Sequence, residues 1–152
     1  MLNQHQHEKR WFVLANASVA QIVENEEAGS YKVIEILEHP NSKKKRGELL
    51  TDRAGRYQGT AYPETAFPAH SDPKQIEAEK FAIELIHLLK KSLDEDSFDE
   101  LIFVAPGHFQ HLIKQHAHQS LLNKINQFID KDYTKLKIKQ REKYLTELLK
   151  SS

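Results

Sequence analysis

The sequence predicts an α/β domain built on a mixed, roughly five-stranded sheet flanked by helices. Three observations lead there. Three short apolar runs follow one another between residues 11 and 37, separated by turn signals, as in an antiparallel meander. A capped amphipathic helix occupies about residues 72–92. Beyond it, strand-like and helix-like runs alternate to the end of the chain.

The first strand is Trp11-Phe12-Val13-Leu14-Ala15, a continuous apolar run of the kind found in a central strand covered on both faces. Asn16-Ala17-Ser18 supplies a tight turn into a second strand, Val19 to Glu24. Asn25 to Ser30 is acidic, carries Gly29 and reads as the next turn. Tyr31 to Leu37 is the third strand, rich in β-branched residues. Residues 38–71 form a long loop with Pro40, Gly47, Gly55, Gly59, Pro63 and Pro68 and no sustained period. A loop of that length inside a small domain is usually functional or disordered. Few apolar side chains lie between residues 40 and 62, so local stability there should be low.

The helix after the loop has the strongest local signature. Asp72 is its N-cap, Pro73 takes the first helical position and Gln75 completes a capping box. Ile76, Phe81, Leu85, Leu88 and Leu89 make the apolar face, and Glu77, Glu79, Lys80 and Glu84 fall on the polar one. Leu101 to Ala105 is a fully apolar strand broken by Pro106-Gly107, and a short helix at about 108–116 follows. Leu121 to Ile129 reads as helix passing into strand, with Phe128 and Ile129 in the strand. A last helix runs from about Thr134 to Lys150, with Leu136, Tyr144, Leu145 and Leu148 inward. Trp11, Val13, Phe81, Leu85, Ile102 and Val104 should be core.

Composition narrows the function classes. The 152 residues fit one domain, at 10–152, behind a flexible leader at 1–9. Apolar residues are 39% of the chain, and no run approaches the roughly 18–20 needed to span a bilayer, so no membrane role is expected. Met1 to Arg10 is polar, without the apolar stretch of a secretory signal, which points to the cytoplasm. The absence of cysteine rules out disulfides and thiolate chemistry. Lys+Arg and Asp+Glu balance at 22 each, so only a local patch could bind nucleic acid. No phosphate-binding glycine motif is present, and no cofactor is expected.

Several stretches, taken in order, resemble the bacterial host-attachment protein family. They are Trp11 to Asn16, then His39-Pro40 with Glu48-Leu49-Leu50-Thr51-Asp52-Arg53-Ala54-Gly55-Arg56. Asp72-Pro73 with Glu79-Lys80-Phe81-Ala82 comes next, then Phe98 to Leu101 with Val104-Ala105-Pro106-Gly107-His108-Phe109, and finally Ile129 to Thr134. The resemblance covers about residues 10–138. It implies a fold similar to the middle domain of the archaeal and eukaryotic peptide-chain release factors, a ribonuclease-H-like, ribosomal-protein-like architecture. It also implies the ribosome or tRNA as partner. That domain carries a Gly-Gly-Gln loop between an early strand and a long helix. The matching segment here, 38–71, has none; Gly55-Arg56-Tyr57-Gln58-Gly59 comes nearest.

The candidate residues follow. Lys43, Lys44, Lys45, Arg46, Arg53 and Arg56 are opposed between residues 40 and 59 only by Glu48 and Asp52. Such a loop can neutralise phosphates, with Arg, Tyr57 and Tyr62 stacking on bases. The bland alternative is a solvated surface loop. Gln58 is the single catalytic candidate, but bulky Arg56 and Tyr57 precede it where close backbone approach needs glycine. His108 and His111, at i and i+3, can share a helix face and hold Zn or Ni. No Asp or Glu lies between Gly107 and Ile129 to complete a site, so exposed histidines are the expectation. A ribonuclease-H-like nuclease would need carboxylates on its central strands, and the first strand ends in Asn16. No nucleophile–base pair is legible, which disfavours an enzyme. Three functions remain. The first is a ribosome- or RNA-associated protein acting in translation through the basic loop. The second is a cytoplasmic interaction module affecting attachment to host cells. The third is a hydrolase of peptidyl-tRNA or another ester.

Overall fold

The computed structural model describes residues 9–27, 29–39 and 72–151. Among these residues, five strands and four helices appear in the order β1 (Arg10–Ala15), β2 (Val19–Glu27), β3 (Ser30–Glu38), α1 (Pro73–Asp94), β4 (Glu100–Val104), α2 (Gly107–His116), α3 (Gln119–Leu122), β5 (Ile125–Ile129) and α4 (Ile138–Ser151). The sheet order is β3-β2-β1-β4-β5. The β1–β2 and β2–β3 pairs are antiparallel, whereas β1–β4 and β4–β5 are parallel. The expected mixed sheet is therefore present, and β1 sits at its centre.

The central position explains the composition of β1. Trp11, Val13 and Ala15 point to one face and join Phe81, Leu85, Leu89, Phe109, Ile113 and Leu121 from α1, α2 and α3. Phe12 and Leu14 point to the other, with Val23, Ile102, Val104 and Leu145 of α4. A strand covered on both faces has no place for a polar alternation. The six residues expected in the core are all buried.

The turns follow from side-chain chemistry. The Asn16 Oδ1 accepts from the backbone N–H groups of Ser18 (2.8 Å) and Val19 (3.0 Å), which closes the β1–β2 connection. Gly29 takes the left-handed conformation, φ +77°, at the β2–β3 turn. The hairpin is longer than the sequence suggested. Asn25 stays in β2, and its amide donates to the carbonyls of Glu27 and Ser30. Asp72 caps α1 by accepting from the N–H of Lys74 at 2.9 Å. The helix ends at Asp94, two residues past the expected stop, and Asp96 turns the chain with φ 58°.

Three expectations need correction. Lys9, assigned to the leader, is anchored: its N–H donates to the Asp99 carboxylate and its carbonyl accepts from the Asp99 N–H, both at 2.7 Å. The last helix starts at Ile138 rather than near Thr134. Thr134 is held out of it because its N–H (2.9 Å) and hydroxyl (2.6 Å) both donate to Asp132 Oδ1, a local bond that competes with helix. Glu77, placed on the polar face of α1, is buried at 5% exposure.

Candidate functional site

The basic residues Lys43, Lys44, Lys45, Arg46, Arg53 and Arg56, and Gln58 with them, lie outside the described residues. What the structure does show is how the residues flanking segment 40–71 are held. His39 follows β3, and its N–H donates to the Ser18 carbonyl at 2.9 Å. Its ring packs against Phe81, with centroids 5.4 Å apart. Its Nε2 lies 2.8 Å from Glu77 Oε1, in the first turns of α1. The residue before the segment is thus clasped to the helix after it. Burial alone would raise the Glu77 pKa. The His39 hydrogen bond and the charges of Lys80 and His39 outweigh it and hold the carboxyl below the ordinary glutamate value.

The clasp escaped the sequence reading, although a signal existed. Glu77 stands four residues before Phe81 and eight before Leu85, so it lies on the apolar stripe of α1. A carboxylate there needs a partner, and the histidine at the end of the preceding strand supplies one.

A second polar cluster sits beyond the C-terminal end of β1, where parallel α/β sheets commonly hold ligands. Asn16 Nδ2 donates to Asp132 Oδ2 at 3.0 Å and to Thr134 Oγ1 at 3.1 Å. With its oxygen accepting two backbone N–H groups, the amide has all four bonding positions used. Burial would raise the Asp132 pKa, but the bonds from Asn16 and Thr134 bring it below the usual aspartate value. Gln21 Nε2 donates to the Thr134 carbonyl at 3.3 Å, and Gln21 Oε1 accepts from Arg141 at 3.3 Å. The network is a tie between the β1–β2 turn and the connection into α4. It leaves Asn16 nothing to offer a ligand. Next to it, Gly107 N–H donates to Asp130 Oδ1 at 3.0 Å, joining the end of β5 to the start of α2.

His108 and His111 are exposed on α2. His116 instead hydrogen-bonds Glu79 of α1 at 2.5 Å. A groove of about 210 Å³ beside that bond is lined by Ile83, Ile86, His87, Lys90, His116 and His118. It is smaller than the roughly 300–1,000 Å³ of most small-molecule sites. Two of its polar groups are also engaged, His116 with Glu79 and Lys90 with Asp94 at 2.8 Å. Among the described residues, no group of three or more His, Asp or Glu is placed to hold a metal ion. Among the same residues, no helix is long and apolar enough to cross a membrane.

Comparison with solved structures finds low-identity likenesses. The archaeal translation termination factor aRF1 matches with a TM-score of 0.44 and 10% identity, over 94% of this chain and 39% of that one. An archaeal protein matches with a TM-score of 0.42 and 11% identity, over 94% and 41%. Dom34 of S. cerevisiae, a translation termination-like factor involved in RNA quality control pathways and interacting with Hbs1, matches with a TM-score of 0.42 and 16% identity, over 99% and 43%. The chain spans less than half the length of each of these. No curated protein matches it. A family model described as "Protein required for attachment to host cells" matches residues 11–145, nearly the whole described body. The chain belongs to that host-attachment family.

Proposed function

We propose that this protein is a non-catalytic, cytoplasmic RNA- or ribosome-associated factor that acts in translation and binds phosphate through segment 43–56. One observation carries the reading. Six cations fall between residues 40 and 59 against two carboxylates, in a chain whose charges balance overall at 22 and 22. Charge so concentrated in a neutral protein favours a polyanion over a general surface role. The clasp supports the reading in a second way. His39, which precedes the segment, is bonded to Glu77 of the helix that follows it, so the residues flanking the segment share one anchor.

The test is co-sedimentation with ribosomes at two salt concentrations. The wild type should bind at low salt and lose affinity as salt rises. Replacing Lys43, Lys44, Lys45 and Arg46 with Ala should abolish binding and flatten the salt dependence, by about 0.7–0.9 in logarithmic slope for each phosphate no longer neutralised. Surface substitutions usually change stability by about 0.5 kcal/mol or less each, and these four leave the apolar pattern of every strand and helix untouched. Gln58→Ala should leave binding unchanged. Loss of a peptidyl-tRNA hydrolase activity in that variant would instead favour the enzyme.

The family description favours a second reading, an interaction module whose effect on attachment to host cells comes through a protein partner. Under that reading the quadruple variant sediments like the wild type, because no polyanion is bound.

A further inference from the structure

We propose that β3 is a homodimer interface, and that two copies join their sheets antiparallel through this edge. The proposal concerns a surface that the proposed function does not use.

β3 is nine residues long and forms one edge of the sheet. It contains no proline or glycine, and among the described residues no strand pairs with its outer side. Proteins often block an edge by shortening it, covering it or placing proline in it. The opposite edge follows that rule. β5 has five residues and mostly half-buried side chains, with Lys114 Nζ standing 4.5 Å over the Phe128 ring. β3 instead exposes two large apolar side chains, Val33 at 40% and Ile36 at 54%.

The geometry of β3 selects a second copy and a register. Val33 lies opposite Val23, whose side chain packs on the α4 side of the sheet. Ile36 lies opposite Gln21, which is bonded to Arg141 of α4. Both exposed residues therefore face the same side although they are three apart. That is possible only because the pairing shifts between Ile22 and Val23, leaving Ile34 as an extra residue. In an ordinary strand, residues three apart point to opposite faces, and a two-fold axis could not set one against the other. Here an axis through the irregularity places Val33 opposite the partner's Ile36, and Ile36 opposite the partner's Val33. Ile34 then meets the partner's Glu35 on the other face. Lys32, opposite the partner's Leu37, lies diagonal to the partner's Glu35, a separation that long side chains span. Lys32 and Glu35 are both exposed, and neither forms an ion pair within the described residues. The register thus buries two apolar pairs and creates two opposite-charge pairs by symmetry. A single strand pair buries little area, so association should be weak and concentration-dependent.

The chain lacks cysteine, which allows a direct test. Opposite residues of an antiparallel pair have Cα atoms about 4.5–5.5 Å apart, within disulfide reach. The double variant Val33→Cys/Ile36→Cys should form a covalent dimer on mild oxidation. In the same register each single variant sets its two thiols three residues apart along the strand, about 10 Å, too far for a disulfide. The singles should therefore cross-link at least roughly tenfold more slowly. Sedimentation velocity of the wild type should show mass rising toward the dimer from micromolar to sub-millimolar concentration. Val33→Lys/Ile36→Lys should stay monomeric over that range with an unchanged circular dichroism spectrum. A wild type that stays monomeric, a dimer that survives the lysine pair, or single-cysteine variants that cross-link as fast as the double would each overturn the proposal.

Discussion

Among the described residues, two charged side chains are buried on opposite faces of the sheet, and their circumstances differ. Glu77 faces the α1 side, 5% exposed, bonded to His39 and with Lys80 3.5 Å away. Arg141 lies on the α4 side, 8% exposed, and among the described residues its side chain makes one bond, to Gln21 at 3.3 Å. Its Nε is buried without a hydrogen-bond partner. Burying a charge is costly unless it is paired and fully bonded. Glu77 meets that condition and also fastens β3, at the start of segment 40–71, to the helix that follows the segment. Arg141 meets it only in part and joins no segments beyond those already tied by Asn16, Asp132 and Thr134. One buried charge is therefore a structural clasp, and the other is a burden carried by its packing.

The comparison breaks most directly at the clasp. His39→Ala removes the partner of a buried carboxylate and a ring packed on Phe81. An unsatisfied buried polar group costs about 1–3 kcal/mol, more if charged. The variant should unfold at clearly lower denaturant concentration, and the destabilisation should appear as a shift in midpoint with little change in slope. If the midpoint does not move, His39 does not hold Glu77 in solution, and the shared anchor of the flanking residues fails with it.

A smaller effect comes from pH. The Glu77 carboxyl is held below its ordinary value when folded, so its contribution is full above the unfolded value and is lost as pH falls through the folded one. Asp132 contributes in the same direction. Stability should therefore decline on the acid side of the ordinary carboxylate range. Glu77→Gln should flatten that decline while keeping a bond to His39. Denaturation midpoints measured from neutral pH downward, wild type against variant, check this; parallel curves would mean that Glu77 titrates normally.

The fold was legible because it rests on patterning. β1 announces itself as a doubly covered strand through Trp11 to Ala15, and α1 through its cap and apolar stripe. The meander, the strand before Pro106 and the helix after it are local signals of the same kind. What local signals do not carry is pairing across distance. Glu77 reads as one more acidic residue on a polar face until His39, from another element, is placed beside it. Thr134 reads as the start of a helix until Asp132 and Asn16 claim its donors. Arg141 lies four residues before Leu145 and seven before Leu148, on the inward stripe of α4, yet its charge assigns it to the surface. The metal candidates His108 and His111 share a helix face, but spacing along one helix says nothing about a third ligand from elsewhere. The charge excess of segment 40–59, in contrast, is a property of sequence alone, and it bears directly on the proposed function.

The smallest expected effect is at Arg141, where opposing terms nearly cancel. Replacing it with Met gives up the bond to Gln21, worth about 0.5–1.5 kcal/mol as an ordinary hydrogen bond and up to about 3 with a charged donor. It also removes a buried charge whose Nε–H is unsatisfied, and relieving such a group returns about 1–3 kcal/mol. The unbranched Met side chain fills much of the same path and adapts to irregular space, so little cavity remains. The net change should lie within about 1 kcal/mol of zero, on either side. Arg141→Ala separates packing from charge. It removes the same charge but also the buried aliphatic stem, and removing such packing destabilises independently of charge. Met should thus be tolerated and Ala should not, as read by thermal unfolding of both variants. If Met proves as costly as Ala, the guanidinium itself holds α4 in place, and Arg141 is a second clasp rather than a burden.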